Sequence, residues 1–193
     1  MELIDLSHTI FDGVKTIKGV PGPIICDFWE RESTRKNYSD GSTFQMGKIE
    51  MISNTGTYMD CPFHRYADGH DLSGLPLANC VNLPTLIIDA PHENGLAVDV
   101  SFFKNLDVHK KAILVRTGWS AFFNTEKYVT NHPFLTEDAA IFLKENGATL
   151  VGIDSHNIDD TRTTRRPVHT ILLRENILIV EHLTNMATIA ENK

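Results

Sequence analysis

The chain has 193 residues, 41% hydrophobic and 22% charged, which suits one globular domain with a sizeable core and gives no sign of disorder. Its formal net charge of -7 argues against a nucleic-acid or anionic-membrane partner, since both select basic surfaces. The three cysteines, Cys26, Cys61 and Cys80, match no zinc or redox spacing, and an odd count closes no disulfide set. No apolar run has the length of a membrane span, and Met1 leads straight into Glu2-Leu3-Ile4-Asp5, so a cytoplasmic protein is expected.

No internal repeat or low-complexity tract divides the sequence, which reads as a single domain over 1–193. In chain order, Leu3 to Leu6 reads as a first strand. Pro21 to Ser42 is polar and reads as irregular, a segment suited to lie over a site or against another subunit, and Thr43 to Ile52 reads as a long strand. Thr85 to Asp89, Ala112 to Arg116 and Leu150 to Ile153 are short apolar runs of the kind that become buried strands. Between the last two, a helix is marked by Thr136 as N-cap, by Glu137 and Asp138 in the favourable first turn, and by Gly147 as its stop. A shorter helix over Val168 to Arg174 precedes a last strand, Ile177 to His182. Strands interleaved with helices predict an α/β domain with a mixed sheet.

The richest chemistry lies in Ser53 to His70. If Met59 to His64 is extended, alternation puts Asp60 and His64 on one face and Cys61 and Phe63 on the other. A carboxylate and an imidazole are ordinary ligands for zinc or manganese. An aspartate near a turn is also a common turn-former. Further on, alternation places Glu181 on the face of Ile177 and Ile179, where a carboxylate is costly unless it is paired or binds a cation. Either Arg166 or a metal would satisfy it. His169, just after Pro167, is either a helix-capping residue or a further ligand. The basic cluster Arg162, Arg165 and Arg166 reads as a solvated loop or as a contact for a substrate anion.

The frame Asn54-Thr55-Gly56-Thr57-Tyr58-Met59-Asp60-Cys61-Pro62-Phe63-His64 resembles the signature His-x-Gly-Thr-His-x-Asp-x-Pro-x-His of the cyclase family, which includes bacterial kynurenine formamidase and isatin hydrolase. The resemblance extends from Ile4 to His8, through Arg116 to Trp119 and Val151 to Ser155, to His169 and Glu181 to Asn185. It implies a swivelling β/β/α fold and a metal-dependent hydrolase that cuts a formamide or cyclic amide of a small aryl or cyclic substrate. It also implies a homodimer or homotetramer. In relatives with two metals, the signature's first two histidines and its aspartate hold one ion; its last histidine, a later histidine and a glutamate hold the other. Carried over, Asp60, His64, His169 and Glu181 survive as metal ligands, while Asn54 and Tyr58 replace the two imidazoles. The resemblance therefore implies one divalent metal, zinc or manganese. It also suggests His8 and Arg116 as contacts for a substrate carboxylate.

At such a centre, metal-activated water would attack the amide carbon, with His64 and Glu181 as catalytic groups and Glu181 or Asp60 as base. Tyr58 would donate to the tetrahedral oxyanion, unless it is simply a packed aromatic. Trp119, Phe11, Phe63 and Trp29 are candidates for an apolar pocket wall, although large aromatics, Phe63 above all, are more often core. Cys61 faces away from His64 and has no activating charge beside it, so it is not taken as a nucleophile. Two other readings stay open: a lyase or dehydratase on the same fold, and a non-catalytic small-molecule binder.

Overall fold

In the computed structural model, which describes residues 3–189, the chain divides into two units, Thr9–Gly56 and the remainder. In the first, β1 (Ile24–Trp29) pairs antiparallel with β2 (Met46–Glu50) to form a two-stranded ribbon. Between them lie the single-turn helix α1 (Arg31–Thr34) and a 3-10 turn, Arg35–Asn37. The segment expected to be irregular thus holds a strand and two helical turns, and the expected long strand shrinks to five residues. One cause is Thr34: its buried hydroxyl accepts a hydrogen bond from the Phe44 amide at 3.0 Å and holds that residue out of the ladder. Nearly every ribbon residue is exposed, including Phe28, Trp29, Met46 and Ile49, so the pattern carries no in/out alternation to read.

The second unit is built on runs apolar enough to be buried on both faces. Its strands are β3 (Tyr58–Asp60), β4 (Thr85–Asp89), the short β5 (Ala97–Val98), β6 (Ala112–Arg116), β7 (Phe134–Leu135), β8 (Leu150–Ile153) and β9 (Leu178–Glu181). The main sheet has the order β3-β9-β8-β6-β4, with β4, β6, β8 and β9 parallel and β3 antiparallel at the edge, while β5 and β7 form a parallel pair apart from it. The α/β class with a mixed sheet is as expected. Helix α2 (Glu137–Glu145) precedes β8, and α3 (Pro167–Arg174) precedes β9.

Ala139, Ala140 and Leu143 of α2 and Val168, Leu172 and Leu173 of α3 pack with Ile113, Val115, Val151, Ile153 and Ile179 into one core. Leu114, Leu150, Leu178, Leu183 and Met186 form a second cluster. Full burial of each leucine, isoleucine, valine or methionine side chain among them contributes about 1.5–3 kcal/mol. Gly152 of β8 has a steric role, because a Cβ there would lie 2.7 Å from both Leu114 Cδ2 and Leu183 Cδ1.

One local expectation fails and another holds in part. Leu3 to Leu6 is not a strand, since single bonds tie it to the chain beyond β9: Thr184 N–H to the Leu6 carbonyl and Asn185 Nδ2 to the Asp5 carbonyl, each 2.9 Å. Thr136 stands at the N-cap position of α2, as expected, but makes no side-chain cap bond, its hydroxyl donating to Asp138 Oδ1. The last strand ends at Glu181 because His182 takes a left-handed conformation, φ +59. No helix among the described residues is long and apolar enough to cross a membrane.

Candidate metal centre

The pairing of β3 with β9 sets the site. Its register puts Tyr58 opposite Glu181 and Asp60 opposite Ile179. The Tyr58 hydroxyl donates across the pair to Glu181 Oε2. Glu181 is completely buried, and its Oε1 also accepts the Ile158 amide at 2.7 Å, with Asn157 Nδ2 at 3.4 Å from Oε2. Burial pushes its carboxyl pKa up, against the positive charge of His169 and the bonds from Tyr58 and Ile158. The alternative partner, Arg166, is engaged elsewhere, with backbone carbonyls of its own loop.

Asp60 and His64 do come together, but not by strand alternation. The strand stops at Asp60, and Pro62–His64 form a 3-10 turn, with Pro62 preset for the first helical position. Amides of Arg65 and Tyr66 return to the Pro62 carbonyl at 3.0 and 2.9 Å. The turn then closes so tightly that a Cβ on Gly69 would sit 2.7 Å from the Pro62 backbone. This corner brings His64 Nδ1 to 3.3 Å from Asp60 Oδ1 while leaving the imidazole side chain 42% exposed. It also turns Phe63 out to solvent, so Phe63 is not core.

His169, on the first turn of α3, is held by a residue that the sequence analysis did not single out. Asp159 accepts the Val168 and His169 amides at 2.8 and 3.1 Å, capping the helix, and its Oδ2 lies 2.6 Å from His169 Nδ1. That bond turns His169 Nε2 toward Asp60 Oδ2 at 3.5 Å and Glu181 Oε1 at 3.6 Å. Burial alone would pull the His169 pKa down. The bonds to Asp159 and Asp60 and the charges of Glu181 and Asp159 outweigh it and carry it up to about 10. Ligand atoms of Asp60, His64 and His169 all lie within 4.8 Å of one another. Two imidazoles, a carboxylate and a carboxylate behind one imidazole make a donor set that fits a divalent ion of the zinc or manganese kind. Glu181 stands just outside that trio, reaching it through His169.

The other candidates are placed differently. Arg116 is not a free anion contact: its Nε and Nη2 meet Asp89 at 2.5 and 2.8 Å, and its Nη1 meets the Met186 carbonyl at 3.0 Å. Asp89 is its cross-strand partner in β4, so the guanidinium is committed within the sheet. Trp119 is buried, donates its indole N–H to the Tyr128 carbonyl at 2.9 Å and packs edge-on to His92 and Phe122. Phe11, Trp29 and Asn54 belong to the Thr9–Gly56 unit, where Phe11 and Trp29 are exposed. His8 stacks on Phe123 at 3.7 Å between ring centroids.

A second polar cluster, also unforeseen, begins one residue after Glu181. His182, His156 and His132 follow one another at ring-centroid distances of 5.7 and 5.1 Å, and the Tyr128 hydroxyl lies 2.9 Å from His182 Nδ1. His132 spans the Pro133 carbonyl and the Thr161 hydroxyl at 2.9 and 2.8 Å. The signal for both missed features was the polar run Asp154 to Asp160 directly after an apolar strand, a run that stays almost wholly buried and so must find partners inside.

The fold of this mixed α/β sheet is one that solved structures share. The Cyclase family model matches residues 4–160, and the chain belongs to that family. It is 31% identical over 182 residues to a kynurenine formamidase of Bacillus cytotoxicus, covering 94% of this chain and 82% of the relative. A structure described as a predicted metal-dependent hydrolase from Bacillus stearothermophilus aligns at 25% identity and TM-score 0.73, covering 93% of this chain and 81% of that one. Isatin hydrolase A from Labrenzia aggregata, bound to benzyl benzoate, shares the fold at TM-score 0.80 and 18% identity, covering 96% and 81%.

Proposed function

We propose that this protein is a metal-dependent hydrolase that cleaves the C–N bond of a formamide or cyclic amide in a small aryl or cyclic substrate. We further propose that it uses one divalent ion, zinc or manganese, in the cytoplasm. The observation that carries the reading is the convergence of Asp60, His64 and His169 within 4.8 Å, with His169 oriented by Asp159. The kynurenine formamidase relatives support the substrate class.

Asp60 and His169 would hold the ion from the buried side, and His64 would complete the set from the solvent side. When bound, such an ion polarises a carbonyl and acidifies a water. Of the four candidate groups, His64 is the exposed one. Where Asp60 and His169 alone hold the ion, His64 is instead the group suited to accept a proton from the attacking water and deliver it to the amide nitrogen as the C–N bond breaks. Asp159 keeps His169 in one tautomer. Glu181, fully buried, acts on His169 electrostatically and does not meet substrate, which argues against it as the base. Tyr58 anchors Glu181, so the donor expected for an oxyanion is spent on that carboxylate.

The test is to load the protein with zinc or manganese and assay N-formyl arylamines against hydroxy acids. Turnover of the formamides alone is expected, and turnover of hydroxy acids alone would favour a lyase. His64→Ala separates the two duties of that side chain: retained metal with lost turnover assigns the proton, and loss of both assigns a ligand. We also propose a homodimer or homotetramer. It would cover the β1–β2 ribbon of Thr9–Gly56, because an exposed two-stranded ribbon is marginal alone. Light scattering at micromolar concentration should give a multiple of the 21.7 kDa chain, and a monomer would contradict it.

A further inference from the structure

Of the three clustered groups, His64 is the least constrained. Asp60 ends a strand and His169 is fixed by Asp159. His64 is part-exposed, and apart from Asp60 Oδ1 at 3.3 Å no hydrogen bond or ion pair among the described residues holds its ring. Its ring centroid nevertheless lies 5.8 Å from that of His169, close enough for both to serve one ion. The spacing must therefore come from the backbone that carries His64, the corner from Pro62 to His70.

That corner is rigid in itself. Besides the amides of Arg65 and Tyr66 on the Pro62 carbonyl, Gly69 N–H donates to the Tyr66 carbonyl at 2.9 Å and Phe63 N–H to the His70 carbonyl at 3.0 Å. A rigid corner still needs a fixed place relative to α3, and Tyr66 supplies it. The Tyr66 hydroxyl donates to the Thr170 carbonyl at 2.7 Å, and its ring packs against the main core. In return, Arg174 of α3 lies 4.9 Å from the centre of that ring and 3.7 Å from Asp68. Thr170 and Arg174 are four residues apart on the helix and so share a face. Tyr66 stands two residues after His64, and Thr170 one after His169. The bond between them is thus a short mechanical link between two candidate ligands.

We propose that Tyr66 is a positioning residue: its hydroxyl fixes the corner against α3 and thereby sets the distance from His64 to His169 across the metal site. The proposal rests on the metal-dependent reading and deepens it, since no atom of Tyr66 need touch ion or substrate.

Tyr66→Phe deletes the hydroxyl and keeps the packed ring, and it is combined with His64→Ala in a double-mutant cycle. Zinc affinity by calorimetry and kcat for formanilide are measured in native protein, both single variants and the double. Tyr66→Phe alone should weaken zinc binding about tenfold or, where His64→Ala spares the metal, lower kcat about tenfold. In the His64→Ala background the same change should do nothing further to that quantity. A tie that served stability alone would give equal losses in both backgrounds. That result, or no loss from Tyr66→Phe alone, would overturn the proposal.

Amide exchange in metal-free protein makes the test independent of the ion. Tyr66→Phe should speed exchange at Arg65, Tyr66 and Gly69, while the amides of Leu172 and Leu173 keep their protection. Unchanged exchange at the corner would overturn the tie even where zinc binds. If native protein takes up no divalent metal while the corner amides are released as expected, the tie stands and the metal-dependent reading is what fails.

Discussion

Glu181 and His182 are neighbours in sequence, yet they belong to two clusters of opposite character. Around Glu181, three carboxylates surround one buried imidazole, and His169 is held up to about 10 despite its burial. Around His182, imidazoles meet imidazoles and a phenol. Burial pushes His182 well below its usual value, reinforced by the charges that His156, His8 and His132 would carry, and burial likewise lowers His132. The same side chain is cationic in one setting and neutral in the other, and what decides is the count of carboxylates within reach. A cluster rich in negative charge is one that a divalent cation can satisfy. In the cluster of neutral imidazoles, Tyr128 and Thr161 supply hydrogen bonds to His182 Nδ1 and His132 Nε2.

The largest effect is expected at the residue on which the first cluster turns. His169→Ala should abolish both metal binding and hydrolysis, measured by elemental analysis and by turnover of a formanilide. Asp159→Asn keeps the ligand but loosens its orientation, and it should weaken metal affinity about 10–100-fold. Unchanged affinity would mean that Asp159 serves α3 alone.

Tyr58→Phe removes a donor from a completely buried carboxylate that retains the Ile158 amide. A loss of about 1–3 kcal/mol in the stability of metal-free protein is expected in denaturant titration. No loss would show that the phenol is ordinary packing.

The neutral cluster predicts an acid limb. Burial lowers His8 from 6.5 to about 4. Between those values the unfolded chain binds the extra proton, so His8 contributes stability that is present above pH 6.5 and lost as pH falls toward 4. Unfolding midpoints of native protein and His8→Asn should therefore converge on acidification through that window. Parallel curves would contradict the shift.

The contrast also shows what the sequence could reveal. Ala112–Arg116 and Leu150–Ile153 are strands at their predicted bounds because an apolar run buried on both faces leaves little else to be, and Thr85–Asp89, only partly buried at the sheet edge, follows its neighbour's register. The ribbon of Ile24–Trp29 and Met46–Glu50 was hidden because exposed strands need no alternation. Asp60 and His64 were legible as a pair, but the route was not: a proline-started turn, closed at Gly69, does what an extended strand was expected to do. Asp159 was invisible as an orienting group because its partner lies ten residues on, across a loop and a helix start. Arg116 was misread for a related reason, since its partner Asp89 is adjacent through strand register and distant in sequence.

The central claim is that the carboxylate-rich cluster is a single cation site, with Tyr58 bonded to Glu181 where a second site would need an imidazole. Elemental analysis of native protein, purified without chelator and loaded with zinc, tests it most directly. The account predicts about one tightly held ion per chain, and a rise toward two in the double variant Asn54→His, Tyr58→His. Two ions held by native protein, or none with any divalent metal, would contradict it.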